Sequence, residues 1–104
     1  MTDTISWPGK SGKTYKYYIY KMDAALKDKG GNYCFAKETS RGRWKPIYFG
    51  ETRDLSERFD NHHKMDCIKK EGATGLHAHI NEDEDDRLAE EADLVDKWNP
   101  PCNG

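Results

Sequence analysis

The sequence predicts an α+β fold: a small, mainly antiparallel β-sheet flanked by helices. Three observations carry this expectation. Tyr15 to Met22 is aromatic and alternating, the pattern of a half-buried strand. Asn32 to Lys37 and Trp44 to Phe49 read as a hairpin around Thr39-Ser40-Arg41-Gly42-Arg43. Two later segments carry helical spacing, each behind an acidic residue suited to a helix start.

In chain order, residues 1–13 are rich in Gly, Ser, Thr and Lys, and are expected as a flexible arm ahead of a domain at 14–104. Tyr15 to Met22 is the first strand, with Tyr15, Tyr17 and Ile19 on one face and Tyr18, Tyr20 and Met22 on the other. Asp23 to Gly31 is polar and has room for a short helix before Gly30-Gly31. Pro46 puts the second hairpin strand at a sheet edge or at a bulge, because proline donates no ladder hydrogen bond. Asp54 and Glu57 have capping-box spacing, which predicts a helix through Arg58, Phe59 and His62. Leu76 to Ile80 alternates and reads as an edge strand with His77 and His79 on its outer face. Asn81 or Asp83 caps the last helix, which ends near Trp98 because Pro100 and Pro101 cannot continue it.

At 104 residues the chain forms one domain with a modest core of its own. No stretch approaches the roughly 20 apolar residues that span a bilayer. The first residues lack the basic-then-apolar pattern of a secretion signal. Cys34, Cys67 and Cys102 are odd in number with no close pair, so reduced thiols and a cytoplasmic setting are expected. The net charge of −2 hides a strong asymmetry. Residues 1–70 hold 15 Lys and Arg against 9 Asp and Glu, whereas residues 71–104 hold 2 against 10. A basic half of this kind can track phosphates while the acidic half faces solvent or helps hold a cation.

Residues three, four and seven apart share a helical face. That rule groups Leu55 with Arg58, Phe59 and His62, and Leu88 with Glu91, Ala92 and Val95, while Glu90 points away. An ionised group turned toward a core costs several kcal/mol unless it is paired or binds an ion. The plain alternative is an Arg–Glu pair that ties the two helices together.

The ordered spacing narrows the choice. Tyr18-Ile19-Tyr20 comes first, then Tyr48-Phe49-Gly50, with Arg58 ten residues after Tyr48 and His62 four later. Glu91 on a helix and the terminal Pro100-Pro101-Cys102-Asn103 follow. Over about residues 15 to 103 this set resembles the GIY-YIG nuclease superfamily. The resemblance implies a metal-dependent phosphodiesterase acting on DNA, in repair or recombination. It implies that Tyr20 lines the site, Tyr48 helps deprotonate the attacking water, and Arg58 neutralises the scissile phosphate. His62 would hydrogen-bond near the nucleophile or the phosphate, Glu91 would ligate Mg²⁺ or Mn²⁺, and Asn103 would brace the site, with Tyr18 and Gly50 supporting. Glu51 departs from the Lys or Gln common in relatives; it either weakens phosphate binding or joins Glu91 on the cation. Which of Tyr48 and His62 takes the proton stays open.

The hairpin residues Arg41, Arg43, Trp44 and Lys45 form a further DNA-contact candidate, through phosphate charge and base stacking. His77-x-His79 invites a zinc reading, but no ligand spacing of a structural zinc site accompanies it. No separate DNA-reading module fits in the chain, so structure-selective or weakly sequence-selective cutting is expected, unless a partner protein or a homodimer supplies specificity. The rival readings are a binding module of the same fold that does not cleave, and a protein-interaction domain without a nucleic-acid role.

Overall fold

The computed structural model describes residues 3–57, 59 and 62–103. Its elements are β1 (Thr4–Pro8), β2 (Thr14–Tyr20), β3 (Gly31–Ser40), β4 (Arg43–Thr52), α1 (Met65–Lys70), β5 (Gly75–Ile80) and α2 (Glu84–Trp98). The strands form one five-stranded antiparallel sheet in the order β1-β2-β5-β3-β4, so the α+β class and the antiparallel sheet are as the sequence predicts.

The β3–β4 hairpin is the backbone of the fold. Gly42 takes a left-handed φ of 77° in its turn, a conformation open to glycine. The register shifts between Phe35 and Ala36, where Pro46 enters the pairing, and β4 lies at the sheet edge. Both consequences of Pro46 expected above are therefore seen. The open side of β4 is closed by the C-terminal tail. The Phe49 amide donates to Asn103 Oδ1 (2.9 Å), and Asn103 Nδ2 donates back to the Phe49 carbonyl (2.8 Å). The Cys102 amide adds a bond to the Ile47 carbonyl. Edge groups that would stand unpaired are thus satisfied around Tyr48.

Each sheet face has its own core. On one, Tyr33, Phe35, Tyr48, Leu76 and Ala78 pack with Met65 and Ile68 of α1 and with Leu55. On the other, Trp7, Tyr17, Cys34 and Phe49 pack against Leu94 of α2.

Several expectations are corrected here. The segment expected as a flexible arm supplies β1, whose Trp7 is buried against Phe49, Trp98 and His77. The β1–β2 turn is pinned to α2, with Asp93 accepting from the Ser11 amide and hydroxyl and from the Tyr15 hydroxyl. Residues 21–30 contain no helix. Of the helix expected from Asp54, residues 54–57 form a turn and Phe59 lies in a 3₁₀ turn, while Arg58, Asp60 and Asn61 lie outside the described residues; α1 follows at Met65. Asp54 accepts from the Ser56 amide two residues on, a local turn that competes with a helix start.

β5 is not an edge strand but lies between β2 and β3, which buries His77 completely. The buried face of α2 holds Arg87, Glu90 and Leu94, while Leu88 is exposed, so the expected stripe is rotated and Glu90 faces inward. Cys67 and Cys102 form a disulfide with their Cα atoms 5.8 Å apart; Cys34 is the free, buried thiol. The pairing was hidden by a sequence separation of 35 residues. It removes the reduced-thiol argument for a cytoplasmic setting. Among the described residues no helix is long and apolar enough to cross a membrane.

Candidate active site

The site lies where β3 and β4 present tyrosines on the α1 face and α2 passes the edge of β4. Tyr33 stands on β3 opposite Gly50 on β4, and Phe35 stands opposite Tyr48. A side chain at Gly50 would collide with the Tyr33 hydroxyl (2.6 Å) and with Tyr48 Cε1 (2.8 Å). Glycine there is what lets the two phenols converge.

His62 closes over them. Its Nε2 is 2.7 Å from the Tyr33 hydroxyl, and its ring meets Tyr48 edge-on at 5.0 Å. The Lys64 amide donates to Nδ1 at 3.0 Å, so the neutral ring carries its proton on Nε2 and donates it to Tyr33 Oη. Burial, helped by the stacked His63 ring 4.6 Å away, holds the His62 pKa below the ordinary imidazole value. His62 is therefore neutral at pH 7.

Both phenols are held above the usual tyrosine range. For Tyr33 the causes are burial first, then the charges of Tyr48 and Glu91, a hydrogen bond toward Tyr48, and Glu51. For Tyr48 they are burial and then Glu91, opposed by the hydrogen bond from Tyr33. The chain of donors thus runs from His62 through Tyr33 to Tyr48. Glu91, half-buried on α2, is itself raised, first by burial and then by the Glu51 carboxylate, while the Glu51 backbone amide donates to it. Two carboxylates that repel one another next to buried phenols make the surroundings locally negative. Arg87 partly balances this charge: its Nε lies 3.5 Å from Glu51 Oε2, and its Nη1 donates to the Asn81 carbonyl.

Of the residues anticipated above, the structure gathers Tyr48, His62, Glu91, Glu51 and Gly50, with Asn103 bracing the strand on either side of Tyr48. Arg58 lies outside the described residues. Tyr18 and Tyr20 are elsewhere. Tyr20 shares a cross-strand row with Leu76, Phe35 and Tyr48 but stands three strands from Tyr48, about 14 Å along the sheet. Its expected place is occupied by Tyr33. A recognisable signal existed, since Gly31-Asn32-Tyr33 opens the strand that pairs with Tyr48-Phe49-Gly50.

Arg41, Arg43 and Lys45 are exposed around the hairpin tip, with Arg43 about 17 Å along β4 from Tyr48. Trp44 is not a free stacking platform, because its ring packs on His77 at 4.7 Å.

The His77-x-His79 pair does not offer a metal site: His77 is completely buried, with Nε2 unpartnered among the described residues, and His79 is held by Glu90. His77 Nδ1 accepts from Trp7 Nε1 (3.2 Å), and burial presses its pKa down to about 4. His79 Nε2 meets Glu90 Oε2 at 2.6 Å, and Tyr17 donates to the same oxygen. Among the described residues no cluster of three or more His, Cys, Asp and Glu side chains is placed to hold a metal ion. The carboxylates that face the phenols are Glu91 and Glu51.

No family model matches the chain, and no curated protein matches it. Solved structures do. The GIY-YIG N-terminal endonuclease domain of UvrC from Thermotoga maritima, as an asparagine-to-alanine point mutant bound to its catalytic divalent cation, is 26% identical with a TM-score of 0.59. That match covers 73% of this chain and 83% of the other. Two tyrosine-to-phenylalanine mutants of the same domain, also cation-bound, match at 26% and 28% identity with TM-scores of 0.58. Each covers 75% of this chain and 86% of its own.

Proposed function

We propose that this chain, a GIY-YIG domain by fold and by likeness to those endonuclease domains, is a metal-dependent endonuclease that hydrolyses DNA phosphodiester bonds. The observation that carries the reading is the convergence of Tyr33, Tyr48 and His62 with the negative field of Glu91.

The donor set suits a hard divalent cation. Glu91 and Glu51 offer carboxylate oxygens whose mutual repulsion a cation would relieve, and a site with few protein ligands suits Mg²⁺ or Mn²⁺, which keep waters and take substrate phosphates. When bound, such an ion stabilises the charge that develops on the leaving 3′ oxygen.

The chain's own residues do the rest. Neutral His62, its Nδ1 occupied by the Lys64 amide and its Nε2 proton on the Tyr33 hydroxyl, orients that hydroxyl rather than taking a proton. Tyr33 in turn donates to Tyr48, so the chain of donors supports negative charge on the Tyr48 oxygen. Tyr48 reaches the water-activating role once the negative field of Glu91, one cause of its raised pKa, is neutralised. Arg58, ten residues beyond Tyr48, is assigned to the equatorial phosphate oxygens. Asn103 holds the Tyr48 strand rigid from its open side.

Structure-selective or weakly sequence-selective cutting is the mode we infer, since the described residues form the sheet and its two helices and hold no separate DNA-reading module among them. The test is a cleavage screen on intact duplex, nicked, flapped and branched DNA with Mg²⁺ or Mn²⁺. Metal-dependent cutting of at least one discontinuous substrate supports the reading. Absence of cutting with either ion on all of them returns the chain to the rival, a non-cleaving module, which Glu51 facing Glu91 would then explain.

A further inference from the structure

The sheet face that carries Tyr33 and Tyr48 continues past them into an open groove. Tyr18 on β2 lies opposite Ala78 on β5, and Ala78 lies opposite Tyr33 on β3. Residues directly opposite one another in a ladder point to the same side. Tyr18 and Tyr33 therefore share a face, two strand spacings or about 10 Å apart.

Over that face lies a cavity of about 750 Å³ whose walls include Lys16, Tyr18, Tyr20, Lys27, Leu55 and Ile80. Leu55 also packs into the core beneath Tyr33 and Tyr48, so groove and site share a wall.

Its chemistry is specific. Tyr18 is 40% exposed and Ile80 47%, an unusual outlay of apolar surface on a face that also holds two lysines. The Lys16 ammonium sits 5.5 Å from the centre of the Tyr18 ring. No carboxylate lines the cavity among the described residues. A partly exposed aromatic ring with an ammonium over it and no opposing anion complements an unpaired nucleotide: the base takes the ammonium's place on the ring and its phosphate receives the ammonium. An intact duplex keeps its bases stacked on each other and offers Tyr18 no free face.

We propose that this groove binds an unpaired DNA segment flanking the phosphate to be cut, with Tyr18 as the stacking platform and Lys16 and Lys27 as phosphate contacts. The position beside a scissile bond rests on the nuclease reading; the binding itself does not. The groove then supplies the selectivity for discontinuous DNA.

The test is fluorescence anisotropy of the full chain in EDTA, which prevents cutting, with a labelled oligothymidylate and an intact blunt duplex between 50 and 200 mM salt. The wild type should prefer the single strand. Tyr18→Ala should weaken single-strand binding roughly 5- to 150-fold, the range of one base–aromatic stack, and Tyr18→Phe should retain it. Lys16→Ala should flatten the salt dependence by about 0.7 in log–log slope. Single-strand affinity unchanged in Tyr18→Ala, or a wild-type preference for the blunt duplex, overturns the groove. Single-strand binding that depends on Tyr18, in a protein that cuts nothing with either metal, keeps the groove and removes the nuclease reading instead.

Discussion

The Tyr33 hydroxyl and His62 Nε2 lie 2.7 Å apart, and this bond joins a strand near the centre of the sheet to the loop before α1. It fixes the imidazole with its proton toward Tyr33, because the other ring nitrogen is taken by the Lys64 amide. Tyr33→Phe removes the oxygen and leaves the ring packing. Cleavage should fall by 10² or more, within the usual range of general acid–base contributions, and by clearly more than in Tyr20→Phe. Equal losses in the two variants, measured as kcat on one substrate, would put Tyr33 outside the reaction.

The pH profile separates the two candidate bases. His62 is depressed by burial, so its neutral form predominates at pH 7. If it accepts the proton, log kcat falls as pH drops below the ordinary imidazole value and is flat from pH 7 to 9. Tyr48 is raised by burial and by Glu91, so a rate-limiting phenolate would keep the rate climbing through pH 9. A rate that climbs through pH 9 is expected in the wild type, because both His62 nitrogens are engaged, and the climb should persist in His62→Gln; a flat alkaline arm would assign the proton to His62 instead.

Acid stability should report His77. Its folded pKa of about 4 lies below the unfolded value near 6.5, so its contribution is complete above pH 6.5 and is lost as pH falls toward 4. The loss is on the order of 3 kcal/mol. Urea unfolding at pH 7 and pH 4 measures it, and His77→Asn should shrink the difference. An unchanged difference in that variant would assign the acid sensitivity to other groups.

The Cys67–Cys102 bridge ties α1 to the tail that clamps β4. Closing a loop of this length stabilises by roughly 3–4 kcal/mol in the chain-entropy account. Cys102→Ser should lower the thermal midpoint accordingly, and added reductant should then have no further effect. A reductant-sensitive midpoint in that variant, or none in the wild type, would contradict the pairing.

Much of the fold was legible in the sequence where one physical signal dominated. Alternation gave β2, the turn residues and Pro46 located the β3–β4 hairpin and its bulge, and Asp83 with the double proline bounded α2. The misses came where two readings shared one pattern. Trp7-Pro8-Gly9 reads as loop until Trp7 finds Phe49 and Trp98 across the sheet. Asp54 serves a local turn as readily as a helix cap. In α2 the inward face carries Arg87 and Glu90, whose burial depends on partners distant in sequence: Glu51, Tyr17 and, on β5, His79. Tyr33 was legible in Gly31-Asn32-Tyr33, which has the opening glycine that Tyr18-Ile19-Tyr20 lacks, and the sheet order, with β5 inserted between β2 and β3, separates the two tyrosines in space.

The central claim is that Glu91 and the phenols above it form a cation-dependent cutting site. The most direct measurement pairs Mn²⁺ titration calorimetry with cleavage of flapped DNA for wild type and Glu91→Gln, an isostere that keeps the packing and removes the charge. The account predicts that the wild type binds Mn²⁺ and cuts, and that the variant folds normally, loses at least tenfold in Mn²⁺ affinity and loses cutting. A variant that binds Mn²⁺ and cuts like the wild type would contradict it.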